Sequence, residues 1–519
     1  MRGCVAVFLL FCSCAVGVRG ITVAEHDALL DIYSAWGGSS TFSGRPGWSA
    51  TAPSNLTSMC DWTGITCNAG GNVETITLMG DFLPPFRLTG TLPAGLSRLF
   101  ALRQLNIKNN VFTGTLPLQW AALSNLEMLD LSDCTLTGTL PAGWSTLTAL
   151  TSLALQWNDL SGPLPNTWKS LASMKYLYLT HNRLSGTLDP EWSRLSALSY
   201  FDAGQNSFQG SLPTAWSVMT ALTTIRLQSN LLSGTLPPEW FGMSSLMSVE
   251  LSNNSISGTL PTEWGSLKLT SLALNDNRLT GTLPPQWGVA PMRLYMMTMA
   301  LQGNRLTGAL PAEWASMSVL QLLTLSDNGP LLGDLPVTYN RLPLRTFTVD
   351  GNNLTGTLPA AWSNITSLRT FNASRNQLRG SLPPSWGVNT FLIQHLSVHS
   401  NRLSGTLPPE WGNLSGLRTL EFNDNDITGV VPPQSWKSMT ELTRSNGANC
   451  FLSEPLPNAQ GQPQLRNVPM IATFLPQRVY FGTNTSTATA NPPPATSTDT
   501  STTTVTTTAP PTTNASAVT

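Results

Sequence analysis

Three tyrosines and one arginine recur at spacings that offer ligand-binding chemistry. Tyr176 and Tyr178 are separated by one residue, Tyr200 follows Tyr176 by 24 residues, and Arg226 follows Tyr200 by 26. Tyrosine presents a rigid, amphipathic ring, and tyrosine and arginine are favoured at the centres of protein-binding sites. These four side chains are therefore the candidate ligand-binding residues. The alternative is that the rings only stack on one another across neighbouring strands in solvent.

The sequence has no common catalytic motif, since it contains no G-x-S-x-G, Walker-type glycine loop, H-E-x-x-H or dinucleotide fingerprint. His395 and His399 have a spacing that shares a metal ion when it falls on a helix. In a strand, four residues span roughly 13 Å, which is too far for one ion with bonds of about 2 Å. We therefore expect no enzyme activity, no metal and no cofactor.

These residues belong to a repeat of about 24 residues that runs from residue 73 to residue 450. One turn, residues 222–240, has the pattern L-x-x-L-x-L-x-x-N-x-L-x-G-x-L-P-x-x-W, which is typical of leucine-rich repeats. In its short strand Ile225 and Leu227 point inward and Arg226 points outward. The sequence predicts an α/β-type solenoid, a leucine-rich-repeat superhelix of about 15–16 turns with a parallel concave sheet.

Tryptophan and asparagine each recur once in most turns. Trp240 and its equivalents recur at a repeat position that should face the core, which predicts a buried aromatic ladder. The alternative is that the rings form a carbohydrate-binding array. Asn230 and its equivalents lie where the strand turns away, and an amide that donates and accepts can satisfy buried backbone groups there. Cys134 takes this position in one turn.

The composition and the N-terminal region indicate a secreted chain. A net charge of −1 with 11% charged residues implies neither a nucleic-acid partner nor an anionic membrane surface. Residues 1–20 have the layout of a signal peptide. Residues 21–72 are the predicted N-terminal helical cap, which opens with a capping box at Thr22 and Glu25. Cys60 and Cys67 predict a disulfide staple, because a zinc site would need further ligands.

Two parts of the chain resemble known extracellular families. The segments DALL at 27–30 and CDWTGITC at 60–67, with Trp48 between them, resemble the N-terminal cap of plant-type leucine-rich-repeat proteins. The Pro-Glu-Trp repeats and the Thr-rich C-terminal segment are similar to the promastigote surface antigen family of kinetoplastid protozoa. The resemblance implies a cell-surface or shed glycoprotein, usually lipid-anchored, that acts in host or partner recognition. Plant-type relatives close with paired cysteines, whereas here Cys450 is the last cysteine and is either free or paired between chains.

The sequence also predicts glycans and a stalk. A glycan on Asn372, which lies at an outward concave position, would leave the N-terminal half of the sheet for binding. Residues 451–482 are a C-terminal cap or linker, and the Ser/Thr/Pro-rich residues 483–519 predict a disordered, O-glycosylated stalk. No hydrophobic lipid-anchor tail ends the sequence, so we expect either a secreted protein or an incomplete form of an anchored one. The N-x-[ST] sequons begin at Asn55, Asn253, Asn353, Asn364, Asn372, Asn413, Asn484 and Asn514.

Two functions fit these features. The first is an extracellular or cell-surface glycoprotein that binds a protein or glycan partner through its concave face. The alternative is a coat or shield glycoprotein with no specific ligand. Neither function needs a membrane span in this chain, and the 20 N-terminal residues are too short an apolar run to provide one.

Overall fold

The structure is a computed structural model that describes residues 21–42, 45–49, 56–80, 87–388, 392–429 and 444–446. Among the described residues, no helix combines the length and the apolar character needed to cross a membrane. The predictions that fall outside these residues concern the signal peptide, the cap or linker at 451–482, the stalk at 483–519, Cys450, Asn55, Asn484 and Asn514.

One strand from each turn joins a 17-stranded sheet, which we call the concave sheet. Neighbouring strands from successive turns are parallel, so that Tyr176 lies opposite Tyr200. Among the strands in the described ranges, only the first, Ile65–Cys67, pairs antiparallel. Ile225 and Leu227 are fully buried while Arg226 reaches the surface, and the predicted solenoid is confirmed. The strands of the concave sheet are Ile65–Cys67, Val73–Thr77, Gln104–Asn106, Met128–Asp130, Ser152–Ala154, Tyr176–Tyr178, Tyr200–Asp202, Thr224–Arg226, Ser248–Glu250, Ser271–Ala273, Thr298–Ala300, Leu322–Thr324, Thr346–Thr348, Thr370–Asn372, His395–Ser397, Thr419–Glu421 and Arg444–Asn446.

A second set of short strands, which the repeat pattern does not predict, follows the concave strands. They pair in parallel with the same segment of a neighbouring turn, for example Thr137–Thr139 with Asp159–Pro163. Gly138 has a φ of 83° there, a conformation that glycine adopts without a Cβ clash. These strands are Thr89–Thr91, Val111–Thr113, Thr137–Thr139, Asp159–Pro163, Arg183–Thr187, Ser207–Ser211, Leu231–Ser233, Ser257–Thr259, Arg278–Thr280, Gly308–Ala309, Leu331–Leu332, Arg379–Ser381, Arg402–Gly405 and Asp426–Ile427.

The third segment of each turn is a short 3-10 helix that carries the tryptophan. Trp240 lies in the 3-10 helix Pro238–Gly242 and is fully buried. Its ring stacks on Trp264, with centroids 6.0 Å apart and planes within 2°. Its indole N–H donates to the carbonyl of Pro213 in the preceding turn at 3.0 Å, so the buried donor is satisfied. The 3-10 helices are Gly38–Ser40, Leu56–Asp61, Ala94–Arg98, Leu118–Ala122, Ala142–Thr146, Asn166–Ser170, Pro190–Arg194, Thr214–Val218, Pro238–Gly242, Thr262–Ser266, Pro285–Gly288, Pro291–Leu294, Ala312–Ser316, Val337–Arg341, Ala360–Asn364, Pro384–Gly387 and Pro409–Asn413.

The tryptophan ladder is the set of these rings, and the same indole N–H to backbone carbonyl bond recurs along it. Tyr339 replaces the tryptophan in one turn, and its buried hydroxyl donates to the carbonyl of Pro311 at 3.1 Å. The core prediction is confirmed, and the carbohydrate-binding alternative is wrong for these rings because their faces are closed to solvent. The ladder comprises Trp120, Trp144, Trp168, Trp192, Trp216, Trp240, Trp264, Trp287, Trp314, Trp362, Trp386 and Trp411.

The recurring asparagine satisfies backbone groups at the end of each concave strand, as predicted. Asn230 Nδ2 donates to the carbonyls of Ala203 and Leu227 at 3.1 Å, and its Oδ1 accepts from the N–H of Phe208 at 2.9 Å. Cys134 is buried in the equivalent place, and its thiol lies 3.3 Å from a carbonyl of the preceding turn. Burial raises the pKa of Cys134 to about 12, so the thiol stays protonated at neutral pH.

The N-terminal cap closes the first turn. Its α-helix, Val23–Ala35, starts at the capping box, in which Thr22 Oγ1 accepts from the Glu25 N–H at 3.2 Å and the Thr22 N–H donates to Glu25 Oε2 at 2.9 Å. The Glu25 carboxylate is buried and also accepts from the N–H of Val73 at 3.1 Å. One side chain therefore caps the helix and anchors it to the second strand of the concave sheet.

A disulfide joins Cys60 and Cys67, whose Cα atoms are 5.6 Å apart. Cys67 ends the antiparallel first strand, so the bond ties this strand to the segment that precedes it. Trp48 and Trp62 pack beside it with ring centroids 4.8 Å apart. These rings and the disulfide pack against the same hydrophobic core as the repeats.

Candidate ligand-binding surface

Most outward positions of the concave sheet carry small polar side chains, but one segment carries aromatic rings. Tyr176 and Tyr178 lie on one strand and Tyr200 on the next. The rings of Tyr178 and Tyr200 have centroids 5.0 Å apart and planes tilted by 39°. Tyr176 is 43% exposed. The structure thus brings the three tyrosines together on the outward side of the sheet.

Arg226 joins the tyrosines from the following strand. Its Nη1 donates to the Tyr200 hydroxyl at 2.8 Å, and its Cζ lies 5.7 Å from the centroid of that ring. Its guanidinium also lies 3.5 Å from the Glu250 carboxylate. These contacts fix the arginine by a hydrogen bond, a cation–π contact and an ion pair. We call Tyr176, Tyr178, Tyr200 and Arg226 the tyrosine patch.

Asp202 lies at the base of the tyrosine patch. In the register of the sheet it is opposite Tyr178 on one side and Arg226 on the other. The residue is only 7% exposed, and its Oδ1 accepts from the Gly204 N–H at 3.2 Å. Burial raises the pKa of Asp202, and the Gly204 N–H and the positive charge of Arg226 oppose that rise.

The phenol groups of Tyr178 and Tyr200 remain protonated at neutral pH. Burial raises the pKa of Tyr178, and the neighbouring Tyr176 and Asp202 add to the rise. Burial also raises the pKa of Tyr200, against the opposing charge of Arg226. The hydroxyls are therefore available as hydrogen-bond donors.

Beside the tyrosine patch lies a stacked aromatic pair that the sequence pattern did not predict. The rings of Trp157 and His181 lie 3.4 Å apart between centroids with planes within 17°, and Trp157 is 55% exposed. Both residues have positive φ, 60° and 55°, and each directly precedes the recurring asparagine. Burial lowers the pKa of His181, and the charge of Asp202 opposes this shift. The signal in the sequence was an aromatic residue and a histidine at the same repeat position in consecutive turns.

The described sequons differ in exposure. Asn253, Asn364 and Asn413 are exposed, and Asn353 is half-buried. Asn372 lies at an outward position of the concave sheet, where its Oδ1 accepts from the Ser374 hydroxyl at 2.7 Å. A glycan on Asn372 remains a prediction.

The two histidines with metal-like spacing make separate contacts. His395 lies in a concave strand with its Nδ1 3.0 Å from the Thr419 hydroxyl, and His399 lies beyond that strand with its Nδ1 3.0 Å from the Ser400 hydroxyl. In the described part of the chain, no group of three or more His, Cys, Asp or Glu side chains is arranged to hold a metal ion.

Comparison with known families identifies the repeat. Two leucine-rich-repeat family models match the chain, one over residues 220–279 and the other over 125–147, 173–195, 367–389 and 392–414. No curated protein sequence matches the chain. The matched segments lie in the concave-strand, flank and 3-10 arrangement described above.

Solved structures share the architecture. The plant peptide hormone receptor RGFR1 in complex with RGF2 is 27% identical over 75% of this chain and 68% of the receptor, with a TM-score of 0.58. The Arabidopsis receptor kinase HAESA ectodomain, in complex with an N-terminally extended IDA peptide hormone, is 25% identical over 82% of this chain and 83% of the ectodomain, with a TM-score of 0.58. A Leptospira interrogans leucine-rich-repeat protein is 25% identical over 82% of this chain and 100% of the Leptospira chain, with a TM-score of 0.59. This chain therefore carries leucine-rich repeats in a solenoid similar to plant receptor ectodomains.

Proposed function

We propose that this chain is an extracellular recognition protein that binds a protein partner through the tyrosine patch. The observation that carries the proposal is the patch itself, in which contacts hold Tyr178, Tyr200 and Arg226 beside Tyr176, on a sheet whose other outward positions are mostly small and polar. Rigid aromatic area of this kind binds with little loss of side-chain entropy. A preformed patch therefore suits a specific ligand.

The solved neighbours support a polypeptide as the partner. RGFR1 and HAESA are both described in complexes with peptide hormones. An extended segment of a protein can follow the long parallel sheet, with one or two of its side chains against the tyrosine patch. A glycan is the second class of ligand that the polar concave surface can accept.

An extracellular location agrees with the predicted signal peptide, the Cys60–Cys67 disulfide and the sequons. The exposure of Asn253, Asn364 and Asn413 supports glycosylation. The same exposure supports the alternative function, a coat glycoprotein that has no specific ligand. The resemblance to the promastigote surface antigen family rests only on the Pro-Glu-Trp repeats and the Thr-rich C-terminal segment, and it agrees with either surface role.

The test is a binding selection with the secreted full chain. The protein is immobilised and panned against a displayed random peptide library and against candidate extracellular proteins, and selected ligands are measured by calorimetry. We expect saturable binding that is lost in the triple variant Tyr176→Ala, Tyr178→Ala, Tyr200→Ala. Aromatic hot-spot residues typically account for about 2 kcal/mol or more each.

The matched control is Tyr295→Ala, which removes an exposed tyrosine outside the patch and should leave binding unchanged. Binding that survives the triple variant would place the site elsewhere on the protein. Failure of the wild type to select any saturable ligand would favour the coat function.

A further inference from the structure

Three aspartates on the concave surface differ in their cationic partners. Asp130 lies 3.9 Å from the Lys108 ammonium, and Asp350 lies 2.6 Å from the Arg375 guanidinium. Asp202, although only 7% exposed, forms no ion pair with any described residue. A buried carboxylate without a cationic partner is costly in free energy, so this arrangement needs an explanation that the other two aspartates do not.

The surroundings of Asp202 leave one carboxylate oxygen open. Oδ1 accepts from the Gly204 N–H, whereas Oδ2 receives no hydrogen bond from the described residues. Arg226 lies opposite in the register but is turned toward the Tyr200 hydroxyl and the Glu250 carboxylate. The nearest arginine is therefore already engaged, and the carboxylate faces a surface formed by tyrosine rings.

The charges around Asp202 compensate its carboxylate only in part. Arg226 and Glu250 form an ion pair, so their charges offset each other. Burial lowers the pKa of His181, which leaves this imidazole neutral at physiological pH. The Asp202 carboxylate at the base of the tyrosine patch is thus left without an ion-pair partner among the described residues, and Arg226 offsets it only from a distance.

We propose that Asp202, together with the rings of Tyr178 and Tyr200, binds a lysine or arginine side chain of the partner. This inference rests on the proposed function and names the chemistry that the patch selects. A carboxylate hydrogen-bonds and neutralises the cation, and aromatic faces within about 6 Å of it add cation–π attraction. The partner's cation would thus supply the counter-charge that the chain does not give to Asp202.

The test needs no knowledge of the partner. The seven tyrosines of the sequence are replaced by 3-fluorotyrosine in the secreted full chain, and their ¹⁹F signals are assigned by single Tyr→Phe variants. The probes are N-acetyl-lysine-N-methylamide and its neutral analogue N-acetyl-norleucine-N-methylamide. The lysine probe should shift the Tyr178 and Tyr200 signals saturably and leave the signal of the buried Tyr339 unchanged.

Asp202→Asn keeps the shape of the side chain and should weaken lysine-probe binding at least about tenfold, as loss of one member of a charge pair does. Asp130→Asn is the matched control and should leave binding unchanged, since Asp130 already has Lys108 as its partner. The Tyr339 signal reports that each variant is folded.

Three outcomes would overturn the inference: no saturable shift with the lysine probe, equal shifts with the norleucine probe, or undiminished lysine binding by Asp202→Asn. A protein ligand that binds the tyrosine patch but is insensitive to Asp202→Asn would refute the cation site and leave the proposed function standing. Asp202-dependent lysine binding without any protein ligand would do the reverse.

Discussion

The tryptophan ladder and the tyrosine patch are two aromatic arrays in the same turns, and they differ in how their polar atoms are satisfied. Each ladder indole is at most 1% exposed and donates to a backbone carbonyl of the preceding turn. In the patch, the Tyr200 hydroxyl accepts from a side chain, and Tyr176 is 43% exposed. An aromatic ring bonded to the backbone holds the turns together, whereas one bonded to side chains at the surface is available to a ligand.

The largest effect should follow from removing a ladder ring. Trp240→Ala leaves a cavity between two stacked neighbours and should lower the free energy of unfolding by about 3–5 kcal/mol, measured by urea denaturation followed by circular dichroism. Because the stability of a repeat protein depends on contacts between neighbouring turns, the substitution should also destabilise the two adjacent turns. A loss below about 1 kcal/mol, the size of an ordinary point mutation, would show that the ladder is not a main source of stability.

A smaller loss of stability should follow when only the hydrogen bond of a ladder residue is removed. Tyr339→Phe removes only the hydroxyl that donates to the Pro311 carbonyl at 3.1 Å, while that carbonyl still accepts from the Trp314 N–H at 3.2 Å. The free energy of unfolding should fall by about 0.5–1.5 kcal/mol, the net value of one hydrogen bond. Tyr176→Phe, at an exposed position, is the control and should change stability by less than about 0.5 kcal/mol. Equal effects of the two variants would remove the distinction between the arrays.

A third substitution, Asp202→Asn, should raise the stability of the protein at neutral pH rather than lower it. Because the pKa of Asp202 is raised in the folded state, the native protein binds its proton more tightly than the unfolded chain does. The stability that this gives the wild type is complete below the ordinary pKa of aspartate, about 3.9, and is lost as the pH rises through the raised value. Asp202→Asn carries no such proton.

The variant should therefore have a higher Tm than the wild type at pH 7, and the difference should shrink as the pH falls. Differential scanning calorimetry across this pH range measures it. His181 and Arg226 also face Asp202, so the comparison is made between the two proteins at each pH. A variant less stable than the wild type at pH 7 would mean that the ionised Asp202 has a stabilising partner in the protein.

The repeat made much of the fold predictable. The inward leucines, the asparagine bonds and the buried tryptophans follow from position alone, because every turn repeats the same environment. The strands between the concave sheet and the 3-10 helices were not predictable, since most are only two to five residues long and some, such as Thr137–Thr139, have exposed ends and no buried residue. The reach of Glu25 to Val73 depends on how the cap docks, which local sequence does not specify.

The candidate site was predictable in part for the same reason. Alternation along the strands placed Tyr176, Tyr178 and Tyr200 on one face. The Trp157–His181 stack lies in the turns beyond the strands, where alternation no longer applies. The lack of an ion pair at Asp202 depends on the direction of Arg226, which contacts the Tyr200 hydroxyl and the Glu250 carboxylate instead. The sequence of the Asp202 turn does not specify that direction.

The central claim is that the two aromatic arrays have separate roles, and one paired measurement tests it most directly. The triple variant Tyr176→Ala, Tyr178→Ala, Tyr200→Ala and the single variant Trp240→Ala are compared with the wild type for unfolding free energy and for affinity toward a selected ligand. We predict that the triple variant loses binding while each substitution lowers stability by about 1 kcal/mol or less, the size of a cross-strand side-chain contact. Trp240→Ala should lose about 3–5 kcal/mol and, while folded, still bind. A triple variant that unfolds as readily as Trp240→Ala, or that binds as the wild type does, would contradict the account.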